Sequence, residues 1–166
     1  MGGTIKIKSE EGIGSTFIIR IPFKLASAPD TVKKTAAQMD ISGLNLLLVE
    51  DNELNAEIAK TLLSDEGANL TVAEDGLQAV RMFQEKPEGY FDAILMDIMM
   101  PVMDGLTATK TIRSLKHPDA ETIPIIAMTA NAFQEDAEKC IAAGMNAHLA
   151  KPLDIEKVKM TIYKYI

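Results

Sequence analysis

Tryptophan is absent from this chain, cysteine occurs once, and aromatic residues make up only 5% of it. A single cysteine excludes an internal disulfide framework, so packed side chains must hold the fold, and a reducing cytoplasm is the expected compartment. A basic excess is missing too: lysine and arginine number 17 against 24 aspartate and glutamate residues, a formal net charge of −7. Proteins that bind polyanions use a basic face to release counterions, so no nucleic-acid partner is expected. No apolar run approaches the roughly 18 residues that a membrane-spanning helix needs. No basic-then-apolar leader opens the sequence, and direct membrane contact is not expected of this segment, whether or not a longer parent is anchored.

What is present is the balance of a folding domain: 166 residues, 47% hydrophobic and 25% charged. That length suits one domain with an appendage. Three segments follow in order. From Gly3 to Phe23, Ile5 and Ile7 alternate with Thr4, Lys6 and Lys8, and Phe17, Ile19 and Ile21 share one face, so the period is two and a β-hairpin is expected around Gly12 and Gly14. Residues 24–42 lose this periodicity and read as a polar tether, with a weak helix over 31–39. Residues 43–166 alternate apolar runs with amphipathic helices five times.

In that third segment the expected strands are Leu44–Val49, Leu70–Ala73, Phe91–Met96, Pro124–Met128 and Ala147–Ala150. Asn52 caps the first helix, along which Leu54, Ile58, Leu62 and Leu63 recur, and Gly67 ends it. Helices over Gly76–Lys86, near Leu106–Leu115 and over Phe133–Ala143 follow, and Ile155, Val158 and Ile162 mark the last. Uniformly apolar strands joined by helical crossovers indicate an α/β fold, a (βα)5 parallel sheet covered on both faces, behind an N-terminal β-hairpin; by analogy with known doubly wound sheets of this size, a flavodoxin-like strand order 2-1-3-4-5 is expected. Cys140 follows Phe133 and Ala137 at helical spacing and is expected to pack rather than react.

Chemistry-bearing residues stand just past the strands: Glu50 and Asp51 after the first, Asp97 after the third, Thr129 after the fourth and Lys151 after the fifth. Singly each is an ordinary cap or loop residue, but ligands of open parallel sheets bind at the carboxyl ends of strands, where strand order reverses. Three carboxylates held there repel one another; a unit-charge pair at 4 Å and an effective dielectric of about 20 costs about 4 kcal/mol. Oxygen donors without histidine or cysteine select a hard cation such as Mg²⁺, and Lys151 adds a fixed positive charge. Attack of a carboxylate on a phosphoryl group needs chiefly in-line positioning and neutralised equatorial oxygens, which metal, ammonium and the Thr129 hydroxyl can provide.

The runs Leu-Leu-Leu-Val-Glu50-Asp51-Asn, Ile-Leu-Met-Asp97-Ile-Met-Met-Pro-Val-Met-Asp-Gly, Met-Thr129-Ala-Asn-Ala and Lys151-Pro-Leu together resemble the receiver domains of two-component response regulators. The resemblance spans residues 43–166. It implies that Asp97 accepts a phosphoryl group from phosphohistidine, that Asp51, Asp97 and the Met99 carbonyl ligate Mg²⁺ with Glu50 acting through water, and that Lys151 meets the phosphoryl oxygens. It further implies a cis bond before Pro152 and a switch reported by Thr129. Family members often carry Tyr or Phe three residues before the lysine, as a switch coupled to the Thr hydroxyl; His148 stands there, and a half-buried strand histidine is expected in preference to a dedicated pH or phosphate sensor. His117, beside Pro118, is expected to be a loop residue.

Residues 1–23, through Gly12-Ile-Gly14-Ser-Thr-Phe, resemble the last strands of a histidine-kinase ATPase domain, which implies a piece of a hybrid sensor histidine kinase. The partners implied are the kinase's dimerisation and phosphoacceptor domain and a histidine phosphotransfer protein. Leu54 and Ile58 are candidates for their apolar contact, although Ile58 is expected to face the sheet. The competing reading is a docking module that regulates a kinase core without being phosphorylated. A phosphatase using Asp97 would want a second carboxylate two residues on, where Met99 stands.

Overall fold

The computed structural model describes the backbone of residues 2–10, 12, 14–22, 39–130 and 134–166, and the side chains of these except 134–136. The weak helix expected over 31–39, most of the tether and the Phe133 start of a helix lie outside the described residues. The chain divides into two units.

The first unit is the expected hairpin. Strand β1 (Thr4–Glu10) pairs antiparallel with β2 (Gly14–Arg20), placing Ile5 opposite Ile19 and Ile7 opposite Phe17. Those four side chains share one face because alternate residues of a strand point the same way. Each is more than half exposed.

The second unit is a parallel sheet of β3 (Asn45–Val49), β4 (Asn69–Ala73), β5 (Ala93–Asp97), β6 (Ile125–Thr129) and β7 (Ala147–Ala150), ordered β4-β3-β5-β6-β7. Counted within the unit this is the expected 2-1-3-4-5. The helices are α1 (Glu53–Asp65), α2 (Gly76–Glu85), α3 (Gly105–Arg113), α4 (Gln134–Ala143) and α5 (Ile155–Tyr165). Asn52, Asp75, Asp104 and Asp154 each accept a backbone N–H of the first turn that follows, capping α1, α2, α3 and α5. No helix among the described residues is long and apolar enough to cross a membrane.

The alternation of strand residues builds two cores. Leu47, Val49, Ile94, Met96 and Ile125 pack with Phe83 of α2, Ile112 of α3 and Cys140 of α4, whereas Leu46, Leu48, Leu95 and Ile126 pack with Leu63 of α1 and Val158 and Ile162 of α5. Cys140 is fully buried, as its spacing suggested. His117 does lie in a loop, where it packs on Phe83 at 4.6 Å and sits 2.9 Å from the Lys86 carbonyl.

One correction concerns α1. The face it turns to the sheet is Ala56, Ala59 and Leu63, so Leu54 and Ile58 are 69% and 51% exposed, and Ile58 does not face the sheet. Small alanines let the helix sit close, and a stripe defined by them displaces the larger side chains sideways. Ile41, read as part of the tether, is fully buried in the core shared by α1 and α5. Its neighbours fix it there: Ser42 donates to the Glu66 carbonyl, the Gly43 amide donates to the Gly67 carbonyl at 2.9 Å, and Lys159 of α5 pairs with Glu66. Replacing Ile41 with alanine is expected to lower the stability of this unit by about 2–5 kcal/mol in urea unfolding, the range of buried large-to-small changes. A loss below about 0.5 kcal/mol, typical of surface sites, would remove Ile41 from the core.

Candidate functional site

The carboxyl ends of the parallel strands gather the acidic residues. Asp97 is the last residue of β5 and Thr129 the last of β6, one position earlier in each case than the sequence placed them, since both strands begin and end later. Glu50 follows β3 and donates its amide to the Ala73 carbonyl at 3.0 Å. Oxygens of Glu50, Asp51 and Asp97 lie within 4.8 Å of one another. Glu50 and Asp97 are 3% and 7% exposed, whereas Asp51 is open to solvent.

Lys151 joins the buried pair. Its ammonium donates to Glu50 Oε2 and to Asp97 Oδ2, each at 2.5 Å, and its amide donates to the Thr129 carbonyl at 2.7 Å. Burial pulls the Lys151 pKa down, but the hydrogen bonds it donates to Asp97 and Glu50, with their charges, outweigh it and hold the pKa above the usual lysine value. The Lys151–Pro152 bond is cis, as the family resemblance implied.

The remaining oxygens are also engaged. Asp97 Oδ1 accepts the Met99 amide at 3.2 Å, so the main chain of Met99 lies against Asp97 while its side chain is 79% exposed. Glu50 Oε1 accepts Asn55 Nδ2 at 3.0 Å. Asn55 is a site residue that the sequence reading missed; its signal is its place three residues after the cap Asn52, which turns it back toward the strand end. Gly105 is another: an added Cβ would fall 2.0 Å from the Asp97 carbonyl oxygen, so only glycine lets α3 begin against Asp97.

The loop after Asp97 holds a strained turn. Val102 has φ 65°, and Met103 donates its amide to the Pro101 carbonyl at 2.7 Å, a γ-turn around a β-branched residue. Thr129 is 5% exposed at the strand end beside Lys151. His148 departs from expectation: it is exposed, not half-buried, because Leu149 takes the inward direction and β7 is an edge strand with one neighbour.

Comparison with known proteins places this site in a family. The description "Response regulator receiver domain" matches residues 46–163. The aerobic respiration control sensor protein ArcB of Escherichia coli (strain K12) is 36% identical over 167 residues, covering 99% of this chain. The chain spans only 21% of ArcB's length. Among solved structures, the receiver domain of sensor histidine kinase PA1611 from Pseudomonas aeruginosa PAO1, with a magnesium ion coordinated in its active site cleft, is 41% identical with a TM-score of 0.67 over 75% of this chain and 98% of that one. A chain of the co-crystal of the Saccharomyces cerevisiae histidine phosphotransfer protein Ypd1 with the receiver domain of Ssk1 is 28% identical, with a TM-score of 0.65 over 75% of this chain and 90% of that one.

The raised pKa of Lys151 sets a pH window. Its stabilising contribution is complete below the unfolded lysine value of about 10.4 and is lost as pH rises through the higher folded value. Urea midpoints of wild type and Lys151→Met should therefore differ by a constant amount from neutral pH to about 10 and converge above it. A gap that persists undiminished into that alkaline range would mean that the ammonium does not stabilise the carboxylates.

Proposed function

Because this chain belongs to the response regulator receiver family, we propose that residues 43–166 are the phosphoacceptor module of a hybrid sensor histidine kinase, with Asp97 as the group that is phosphorylated. The observation that carries this reading is the set of three carboxylates within 4.8 Å of one another, two of them buried on a single lysine.

The donor set fits Mg²⁺. It offers only oxygen, it is partly open to solvent through Asp51, and it sits where a hard cation relieves carboxylate repulsion. Asp51, Asp97 and the Met99 carbonyl would hold the ion directly, and Glu50 through water. When bound, Mg²⁺ supplies positive charge to the oxygens of the incoming phosphoryl group.

A carboxylate oxygen of Asp97 then forms a bond to phosphorus while the donor's P–N bond breaks. The electron pair stays on the histidine nitrogen, which takes a proton. Lys151 is paired with the nucleophile Asp97 before transfer and would be the cation that meets the equatorial oxygens afterwards. Thr129, one strand over, offers its hydroxyl to the same oxygens. Onward transfer to a histidine phosphotransfer protein is the reverse reaction on a second imidazole. His148 takes the place of the usual aromatic residue and is exposed on the edge strand β7.

The docking face for a histidine-bearing helix would be α1, where Leu54 and Ile58 are exposed beside Asn55 and the acidic pocket. The partners are the kinase's dimerisation and phosphoacceptor domain and the histidine phosphotransfer protein, met in the cytoplasm. Residues 1–23 would be the C-terminal strands of the ATPase domain and residues 24–42 the tether. The exposed apolar face of the hairpin supports this, since two amphipathic strands need a body to cover them.

Incubation with acetyl phosphate and Mg²⁺ should add one phosphoryl group, about 80 Da by intact mass, and Asp97→Asn should abolish it. Leu54→Ala should slow transfer from a phosphohistidine donor about tenfold while leaving acetyl phosphate labelling unchanged, because about 1.4 kcal/mol of docking energy is a factor of ten. No adduct with any of several donors would favour the unphosphorylated docking module instead.

A further inference from the structure

Glu50 leaves β3 with both carboxylate oxygens engaged. Oε2 accepts the Lys151 ammonium at 2.5 Å, and Oε1 accepts Asn55 Nδ2 at 3.0 Å. A carboxylate can only accept, so it is the amide nitrogen of Asn55, not its oxygen, that faces Glu50. Asn55 is the third residue of α1, and its main-chain N–H donates to the cap side chain, Asn52 Oδ1, at 3.1 Å. Backbone and side chain of one residue therefore join the cap of the helix to the strand end that carries the acids.

This is not the usual service of that position. In a capping box the third helical residue is Glu or Gln, which reaches back to the N–H of the cap, and a negative charge there also suits the helix dipole. A carboxylate at position 55 would instead add a fourth to Glu50, Asp51 and Asp97, whose oxygens already lie within 4.8 Å of one another. A lysine or arginine would satisfy Glu50 but bring a second cation beside Lys151. Asparagine donates without charge. The three carboxylates and the single ammonium of Lys151 then leave a formal charge of −2, which a divalent ion matches.

The orientation of Glu50 depends on this donor. At 3% exposure it has little water to replace a lost hydrogen bond, so without the Asn55 amide the carboxylate would turn further onto Lys151 or swing out toward solvent. Either motion alters the charge that Glu50 presents beside Asp51 and Asp97. Hydrogen bonds that orient the groups around a metal typically set its affinity by about 10–100-fold. We propose that Asn55 is a positioning residue of the cation site: its neutral amide fixes Glu50 beside the other two acids and leaves their excess negative charge for a divalent ion. This rests on the Mg²⁺ and phosphoacceptor reading above. Asn55 acts through Glu50, not by contact with the ion or the reacting atoms.

Calorimetric Mg²⁺ titration of the full chain, run as a double-mutant cycle with Glu50→Gln, tests it. Asn55→Ala should weaken Mg²⁺ binding about tenfold. In the Glu50→Gln background the same change should stay within about twofold, because the group that Asn55 orients no longer carries charge. Asn55→Lys keeps a donor but adds a cation, and should weaken binding at least as much as Asn55→Ala. Asn55 lies on the exposed side of the first turn, where alanine and lysine are good helix formers, and urea midpoints confirm that the variants fold. Unchanged affinity in Asn55→Ala, or an equal loss in both backgrounds, overturns the role and leaves the cation site standing. If the wild-type chain takes up no Mg²⁺, the Mg²⁺ reading fails and the role of Asn55 fails with it.

Discussion

Glu50 and Asp97 are almost fully withdrawn from water and share one ammonium, that of Lys151. A buried carboxylate without a partner is among the most destabilising features a protein can carry, and two side by side are worse. The arrangement is tolerable only because a parallel sheet ends three of its strands at one edge, so that residues distant in sequence arrive together. β3 delivers Glu50, β5 delivers Asp97, and β7 delivers Lys151. Each remaining oxygen of the pair is then tied down, by Asn55 and by the Met99 amide. Asp51 alone stays open, and it gives the site an entrance.

The two ends of the sheet carry different work. At the carboxyl end charges are crowded, Val102 holds a left-handed backbone angle and the apolar side chains of Leu54, Ile58 and Met99 face outward. These features cost stability. At the amino end Ile41 packs in the core shared by α1 and α5, and Arg113 satisfies three carbonyls, two in the loop before β6 and that of Gly144.

Much of this was legible in the sequence because it rests on period and on short range. Apolar runs marked the five strands, analogy with doubly wound sheets supplied their order, Asn52 declared its cap, and the acids, Thr129 and Lys151 stood at strand ends where the topology brings them together. The misses have a common cause. Whether Ile58 points to the sheet depends on which stripe of α1 docks, and small Ala56 and Ala59 decide that through close approach. His148 is exposed because its strand lies at the sheet's edge, a property of the assembled sheet rather than of the residues around it. Ile41, Asn55 and Arg113 act through partners that only folding brings near: Ile41 packs on the far end of the chain, and Arg113 reaches residues 7 to 33 positions away. No local pattern announces such bonds.

The central claim is that the carboxylates are held together, against their repulsion, to take up a divalent cation. Titration of Mg²⁺ followed by calorimetry, with Asp51→Asn as the comparison, addresses it directly. The account predicts one saturable site in the wild-type chain and at least a tenfold loss of affinity in the variant. Absence of saturable uptake, or equal affinity in both proteins, would contradict it.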